Sequence, residues 1–401
     1  MRQLILCAVI VGFASPMLGC EARQSSASTA GNSAASGPAT SPTLPTQTVS
    51  SKLGAIRLTT ISGGLEHPWA VALLPDGSFL VTERPGRLRH ISANGTLSEP
   101  LRGVPEVFAQ GQGGLLDVAL APDFASSKRI YLSYAEPGPD GSAGTAVATA
   151  TLGEAALSEV TVIYRQQPKL VGPNHFGSRI AFDGHGHVFI TQGERQERMA
   201  SQDLKMLQGK LVRLNLDGSV PTDNPYAGRS DARAEIWSYG HRNMQSLALD
   251  PRTGKLWEAE HGPRGGDEIN LPEAGKNYGW PIITNGIDYS GLPISEAEGK
   301  SKPGMESPYH VWEKSPGLSG MAFYTGRADS AWNDSLFLGA LADGSLIRLS
   351  LDGDKIVKEE RLLKELGLRI RDVRVGADGK VYVLSDEKDG KLLRLDPPAK
   401  R

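Results

Sequence analysis

The feature that most limits what this chain can fold into is a recurring unit: an apolar strand, a turn holding Asp or Gly, a second apolar strand, then a polar loop. It is legible in Val71-Ala-Leu-Leu-Pro-Asp-Gly-Ser-Phe-Leu-Val-Thr-Glu83, in Ile180-Ala-Phe-Asp-Gly-His-Gly-His-Val-Phe-Ile190 and in Val373-Arg-Val-Gly-Ala-Asp-Gly-Lys-Val-Tyr-Val-Leu384. Leu247–Trp257, Val118–Tyr134 and, more weakly, Met321–Gly339 carry further copies. Asp-Gly and related pairs favour tight hairpins because glycine accepts positive φ. The copies recur roughly every 45–75 residues, and about six are counted from Leu58 onward, which is the periodicity of propeller blades. A blade is apolar on both faces and buries them only by stacking on neighbours in a closed ring. The expected fold is therefore all-β, a six-bladed β-propeller of four-stranded antiparallel blades spanning residues 54–398. An ordinary β-sandwich is the competing architecture, and recurrence over so long a stretch disfavours it. Ser201–Gln208 reads as one or two turns of helix, and no longer helical periodicity is present.

The chain begins differently. Arg2 precedes an apolar run from Leu4 to Phe13 that is too short for a bilayer span, which needs ~20 residues, and suits a secretory signal. Met17-Leu18-Gly19-Cys20 follows and resembles a bacterial lipoprotein cleavage box. Residues 1–19 are then a signal peptide and Cys20 a lipid-bearing N-terminus at the periplasmic or outer-membrane face. Cleavage elsewhere, leaving a soluble periplasmic protein, is the alternative. Residues 20–53 are dominated by Ser, Ala, Thr, Gly and Pro and carry no charge between Arg23 and Lys52. Such a stretch buries too little apolar surface to offset its ordering entropy and is expected to be a flexible tether.

Charge narrows the list of partners. The 401 residues carry 43 Lys+Arg against 45 Asp+Glu, a formal net charge of −2, which argues against a nucleic-acid partner. The 2 cysteines, Cys7 and Cys20, exclude a disulfide-stapled scaffold. Membrane contact is expected only through the lipid on Cys20.

Familiar catalytic strings are absent: there is no Gly-x-Ser-x-Gly, His-Glu-x-x-His or P-loop. His185-Gly-His187 offers half a metal site, but it lies in a hairpin turn without a third ligand and reads as a solvated turn. Four segments carry more chemistry. His175 stands alone among small residues in Gly172–Ile180. Trp237-Ser-Tyr-Gly-His-Arg-Asn-Met-Gln245 sets a cation beside an amide. Glu260–Asn270 continues to Asn277-Tyr-Gly-Trp280. In Leu368-Arg-Ile-Arg-Asp-Val373, strand alternation puts Arg369 and Arg371 on one face. Together these segments supply a base, several cations and oxygen ligands for a hard metal, a set that suits an anionic cofactor.

These strings, with Gly111-Gln-Gly-Gly-Leu-Leu116, Leu207-Gln-Gly-Lys-Leu-Val-Arg213 and Glu235-Ile-Trp-Ser-Tyr-Gly-His-Arg-Asn243, resemble the soluble quinoprotein aldose dehydrogenases. That family is also called glucose/sorbosone dehydrogenase-like, and it uses pyrroloquinoline quinone (PQQ). The resemblance covers about residues 58–395 and is closest to the bacterial aldose sugar dehydrogenases with compact loops. It implies a six-bladed propeller that oxidises the anomeric carbon of aldoses to lactones and passes electrons to an external acceptor. By position, His175 resembles the general base and Glu194 the carboxylate that orients it. Arg242 resembles the arginine that supports negative charge on the quinone, and Asn243 and Gln112 resemble cofactor contacts. The backbone carbonyls of Gly262 and Pro263 resemble ligands of a Ca²⁺ that polarises the quinone. Arg369 and Arg371 resemble the partners of the cofactor carboxylates. Glu268 and the Tyr278 carbonyl are similar to a second, structural calcium site.

Two positions depart from the family pattern. Ala342, in Gly339-Ala-Leu-Ala-Asp-Gly-Ser345, falls where the family commonly has a cofactor-touching Lys, and His261 stands where some members carry Gln. A lipid-tethered propeller that binds a sugar or protein without redox chemistry is the reading that Ala342 favours. A calcium-dependent lactone hydrolase on the same fold needs carboxylates around a central metal, and the cationic residues nominated here disfavour it.

Overall fold

The computed structural model describes residues 44–398. The proposed signal peptide and Cys20 lie outside the described residues. Nearly every element is an antiparallel strand, and the strands form six sheets. Their innermost strands are Pro68–Leu73, Leu115–Leu120, Gly177–Phe182, Met244–Leu249, Leu318–Phe323 and Ile370–Val375. Each packs against the next, and the last returns to the first, so the sheets close into the expected six-bladed propeller.

Stacking explains the composition of the strands. Phe79–Glu83 and Ser335–Ala340 are buried at every residue, because both faces of a blade are covered. The apolar side chains gather in six clusters, and each straddles two neighbouring blades. Trp257 and Ile269 of the fourth blade, for example, share a cluster with Leu336, Leu338 and Ile347 of the fifth.

The ring is closed by chain ends. Gly54–Leu65 pairs with Gly390–Asp396, with Leu58 opposite Leu395 and Thr60 opposite Leu393, so the sixth blade is built from both termini. Closing the ring this way leaves only the outer edges of the blades. Thr46–Ser51 adds a fifth strand outside Gly54–Leu65. Thr46–Ser51, within the stretch expected to be a tether through residue 53, is instead a strand. Its polar residues face solvent on an outer edge while Val49 is buried, so low hydrophobicity did not prevent pairing. The first blade is the reverse case: it has three full strands and only an isolated Ile91–Leu97 bridge in place of a fourth.

The expected helix over 201–208 is smaller than anticipated. A short 3₁₀ turn covers Arg198–Ser201 and plain turns follow. No helix among the described residues is long and apolar enough to cross a membrane.

Candidate functional site

In an antiparallel blade, the start of the first strand and the exit from the second lie on the same rim. The nominated residues occupy these two kinds of position almost without exception. Gln112, His175, Arg242, Asn243 and Arg369 stand just before innermost strands, and Arg371 lies near the beginning of one. Glu194, Gly262, Pro263 and Ala342 lie in connections leaving second strands. The rim thus gathers side chains that are distant in sequence.

All six innermost strands also carry a register shift close to that rim, between Pro68 and Ala70, Leu115 and Val118, Gly177 and Ile180, Met244 and Ser246, Leu318 and Met321, and Ile370 and Asp372. A bulge re-aims the side chains around it. The expected simple alternation of Arg369 and Arg371 is corrected here: Arg369 precedes the strand and the shift follows Ile370. Both arginines nevertheless line one cavity of about 1010 Å³, together with Gln112, Gly262, Pro263 and Ala342.

His175 has φ +56°, the left-handed region that non-glycine residues rarely occupy. Arg195 and Gln196, which follow Glu194, share it at +61° and +65°. Backbone strain of this kind collects at functional sites. The strained turn brings His175 Nδ1 to 2.6 Å from Glu194 Oε2, with both side chains almost wholly buried. Burial acts to raise the Glu194 pKa, but the charge and hydrogen bond of His175, with Arg242, outweigh it and hold the carboxyl below its ordinary value. The His175 amide donates to Gln112 Oε1 at 2.9 Å, and His175 Nε2 has no hydrogen-bond partner among the described residues. A Cβ at Gly193 would fall 2.0 Å from the His175 carbonyl oxygen, so glycine is required for this approach.

Two further contacts fix the loop opposite. Glu260 Oε2 accepts the amides of Arg242 and, at 3.1 Å, Asn243. The Arg242 carbonyl accepts the Glu194 amide at 2.9 Å, which ties the His175–Glu194 turn to the Arg242 loop. Asn243 Oδ1 accepts the Gly177 amide at 3.2 Å and Gln245 Nε2 at 3.3 Å, and Gln245 Oε1 accepts Arg371 Nη1 at 3.1 Å. Arg371 Nη2 pairs with Asp386 at 2.5 Å, and Asp386 also holds His67 at 3.1 Å.

Several buried groups have no hydrogen-bond partner among the described residues: Asn243 Nδ2, Arg242 Nε and, on the large cavity, Arg371 Nε. Such atoms carry a desolvation cost that a ligand relieves. All are donors, so they fit an anionic, oxygen-bearing molecule. The carbonyls of Gly262 and Pro263 accept no hydrogen bond among the described residues, and both border the cavity. Free carbonyl oxygens suit Ca²⁺. The donor set therefore fits the quinone and the metal that the resemblance implies.

His175, Glu194 and Asn243 do not line the large cavity themselves, although Phe176, Gly177 and Gln245 do. Arg242, Glu268 and Tyr278 are not on it either. They line an adjoining space of about 20 Å³ that shares His261, Gly262 and Pro263 with it. Here Glu258, Glu260 and Glu268 crowd around His241 and Asn270, with Glu258 Oε2 and Asn270 Oδ1 unpartnered. Burial and the neighbouring Glu260 push Glu258 up to about 7 and raise Glu268 well above the carboxylate range. Burial acts to lower His241, but Glu258 and Glu260 bring it up to about 9. Carboxylates forced together in this way suit a hard cation. His187, by contrast, is bound within its own turn to Asp183 at 2.7 Å, in keeping with a structural turn.

Sequence reasoning missed Arg84, Gln245, Asp386, Trp69 and His67, all on the large cavity. Gln245 was within reach, because it ends a segment already singled out. Asp386 and Arg84 share the second-strand exit with Glu194, a signal visible only once blade boundaries are known.

The glucose/sorbosone dehydrogenase family profile matches residues 65–394. Aldose sugar dehydrogenase YliI of Escherichia coli is 55% identical over 337 residues, covering 83% of this chain and 91% of the relative. The crystal structure of the soluble aldose sugar dehydrogenase from Escherichia coli in its apo form superposes with a TM-score of 0.84 at 52% identity, covering 86% and 100% of the two chains. The PQQ-bound aldose sugar dehydrogenase from Streptomyces coelicolor gives a TM-score of 0.72 at 28% identity, covering 89% and 100%. With its blade ring, its rim of cations and a profile match across nearly the whole propeller, the chain belongs to the glucose/sorbosone dehydrogenase family.

Proposed function

We propose that this protein is a quinoprotein aldose dehydrogenase that oxidises the anomeric carbon of an aldose to a lactone. The observation that carries this reading is the His175–Glu194 pair, joined through Gln112 and through Phe176 and Gly177 to a cavity walled by Arg369, Arg371 and the free carbonyls of Gly262 and Pro263. The PQQ-bound relative supports the choice of cofactor.

Glu194 holds the imidazole through Nδ1 and leaves Nε2 to take the proton of the anomeric hydroxyl. An ionised Glu194 also stabilises the imidazolium that results. Arg369 and Arg371 bind the carboxylates of the cofactor, and the carbonyls of Gly262 and Pro263 hold Ca²⁺. Arg242, fixed by the His261 carbonyl at 3.0 Å and over the Trp280 ring, adds positive charge in the adjoining space that shares Gly262 and Pro263 with the cavity. A bound quinone would supply a hydride acceptor for the anomeric C1, and a bound calcium ion would supply Lewis acidity beside it. Glu268 and the Tyr278 carbonyl provide a second, structural calcium site. The signal segment and Cys20 support a lipid-anchored protein at the periplasmic or outer-membrane face, which hands electrons to an external acceptor.

The test is to add PQQ and Ca²⁺ to purified protein and follow dye reduction with glucose. Folded protein that stays inactive at saturating cofactor overturns the reading. Ala342 favours a second one, a tethered propeller that binds a sugar or protein without redox chemistry. Calorimetric titration with PQQ separates the two, because a merely sugar- or protein-binding propeller takes up no quinone.

A further inference from the structure

Arg84 has no part in the chemistry described so far, yet it stands on the same rim. It occupies the connection between Phe79–Glu83 and Arg87–Ile91 and lines the large cavity together with Arg369 and Arg371. We propose that Arg84 is a third carboxylate anchor, which closes with Arg369 and Arg371 on a tricarboxylate ligand at the channel mouth. The inference rests on the quinoprotein reading above, since PQQ is such a tricarboxylate.

The position of Arg84 is built rather than incidental. Its Nη1 donates to the Gly111 carbonyl, and its own carbonyl accepts the Leu115 amide at 3.1 Å. Gly114 makes room for it: a Cβ there would fall 1.9 Å from the Arg84 carbonyl oxygen and 2.6 Å from its Cγ. The Gly111-Gln-Gly-Gly114 loop thus holds Arg84 with one residue while Gln112 reaches across to the His175 amide. The Nε and Nη2 groups of Arg84 make no hydrogen bond among the described residues, which leaves them for a ligand.

Charge bookkeeping around the cavity points the same way. Asp386 is already engaged by Arg371 and His67. Asp267 spends its oxygens on the amides of Gly262, Gly317 and Leu318. Glu313 is exposed and pairs with no cation among the described residues. Arg84, Arg369 and Arg371, with Arg264 and Lys314, therefore line a cavity whose carboxylates do not balance them. Burial lowers the Arg84 pKa, and repulsion from Arg371 and Arg369 adds to this against the pull of Asp386. Planar guanidinium groups gathered in this way match carboxylates in charge and shape. Arg84 lines the same cavity as Ala342, the position where the family commonly has a Lys.

The experiment is calorimetric titration of the purified protein with PQQ in calcium buffer at low and moderate salt. Wild type is compared with Arg84→Met, Arg84→Gln and Arg369→Ala, each shown to be folded by circular dichroism and by an unchanged melting temperature without ligand. Losing a charge-assisted hydrogen bond should weaken binding by roughly 10–100-fold in both Arg84 variants, with a shallower salt dependence. Wild-type affinity in folded Arg84→Gln overturns the anchor and leaves the enzyme reading standing. Failure of the wild type itself to bind PQQ overturns both.

Discussion

Nδ1 of His175 lies 2.6 Å from Oε2 of Glu194, and the two side chains come from opposite ends of one hairpin, the entry to the first strand of the third blade and the exit from its second. This contact aims the imidazole and leaves Nε2 as its reactive face. His175→Ala should abolish turnover while quinone binding stays largely intact. Glu194→Gln should cut kcat by roughly 10–1000-fold with little change in KM, the range expected when a base loses its orienting partner. Steady-state kinetics beside cofactor titration checks both, and a His175 variant that instead loosens the cofactor at unchanged rate would remove His175 as the base.

Glu194 also links stability to pH. Its folded pKa is below the ordinary 4.5, so its contribution is present above that value and fades as pH falls through the folded one. Glu194→Gln should therefore be less stable than wild type at neutral pH, and the gap should close on acidification. Denaturant titrations at pH 7 and below 4 measure it.

Lys210 adds a dependence of the same sign in a more alkaline window. It is fully buried, its ammonium donates to the carbonyls of Ala200 at 2.8 Å and Gln208 at 2.7 Å, and burial pushes its pKa from 10.5 down to about 7 despite Asp203. Between those values the unfolded chain holds the proton and the folded chain does not, so stability from this group rises with pH. Relative to Lys210→Met, wild type should gain stability between pH 7 and about 10. A flat difference across that window would contradict the burial effect.

Calcium should be separable into two sites. Chelation should remove activity, and Ca²⁺ should restore it better than Mg²⁺, which sheds its water less readily and tolerates carbonyl cages poorly. Glu268→Gln should reduce the calcium-dependent rise in melting temperature while leaving quinone affinity largely unchanged. Calcium titrations followed by melting curves and by PQQ binding distinguish the two.

Ala342 is exposed on the wall of the large cavity, beside Gly317. Ala342→Lys should tighten quinone binding by roughly 10–100-fold, the value of one charge-assisted hydrogen bond. Unchanged affinity would mean that other cations, Arg84 among them, already saturate the cofactor's charge.

The local pattern of side chains was enough to reveal the blades. Alternating and continuous apolar runs around Asp-Gly turns encode hairpins whatever surrounds them, and the strings around His175, Arg242, Glu260 and Arg369 carry the family resemblance in combination and order, not singly. Other features depend on contacts between segments far apart in the chain. Thr46–Ser51 reads as tether by composition and becomes a strand only because Gly54–Leu65, itself fixed by Gly390–Asp396, offers it an edge. The bulges that aim Arg369 and Arg371 are shifts in pairing between strands, and no single strand records them. Arg84 looks like a turn residue until ring closure brings it to the cavity of Arg369 and Arg371. Periodicity is a property of neighbours along the backbone, whereas convergence at the rim is a property of the closed ring, and only the folded chain supplies the second.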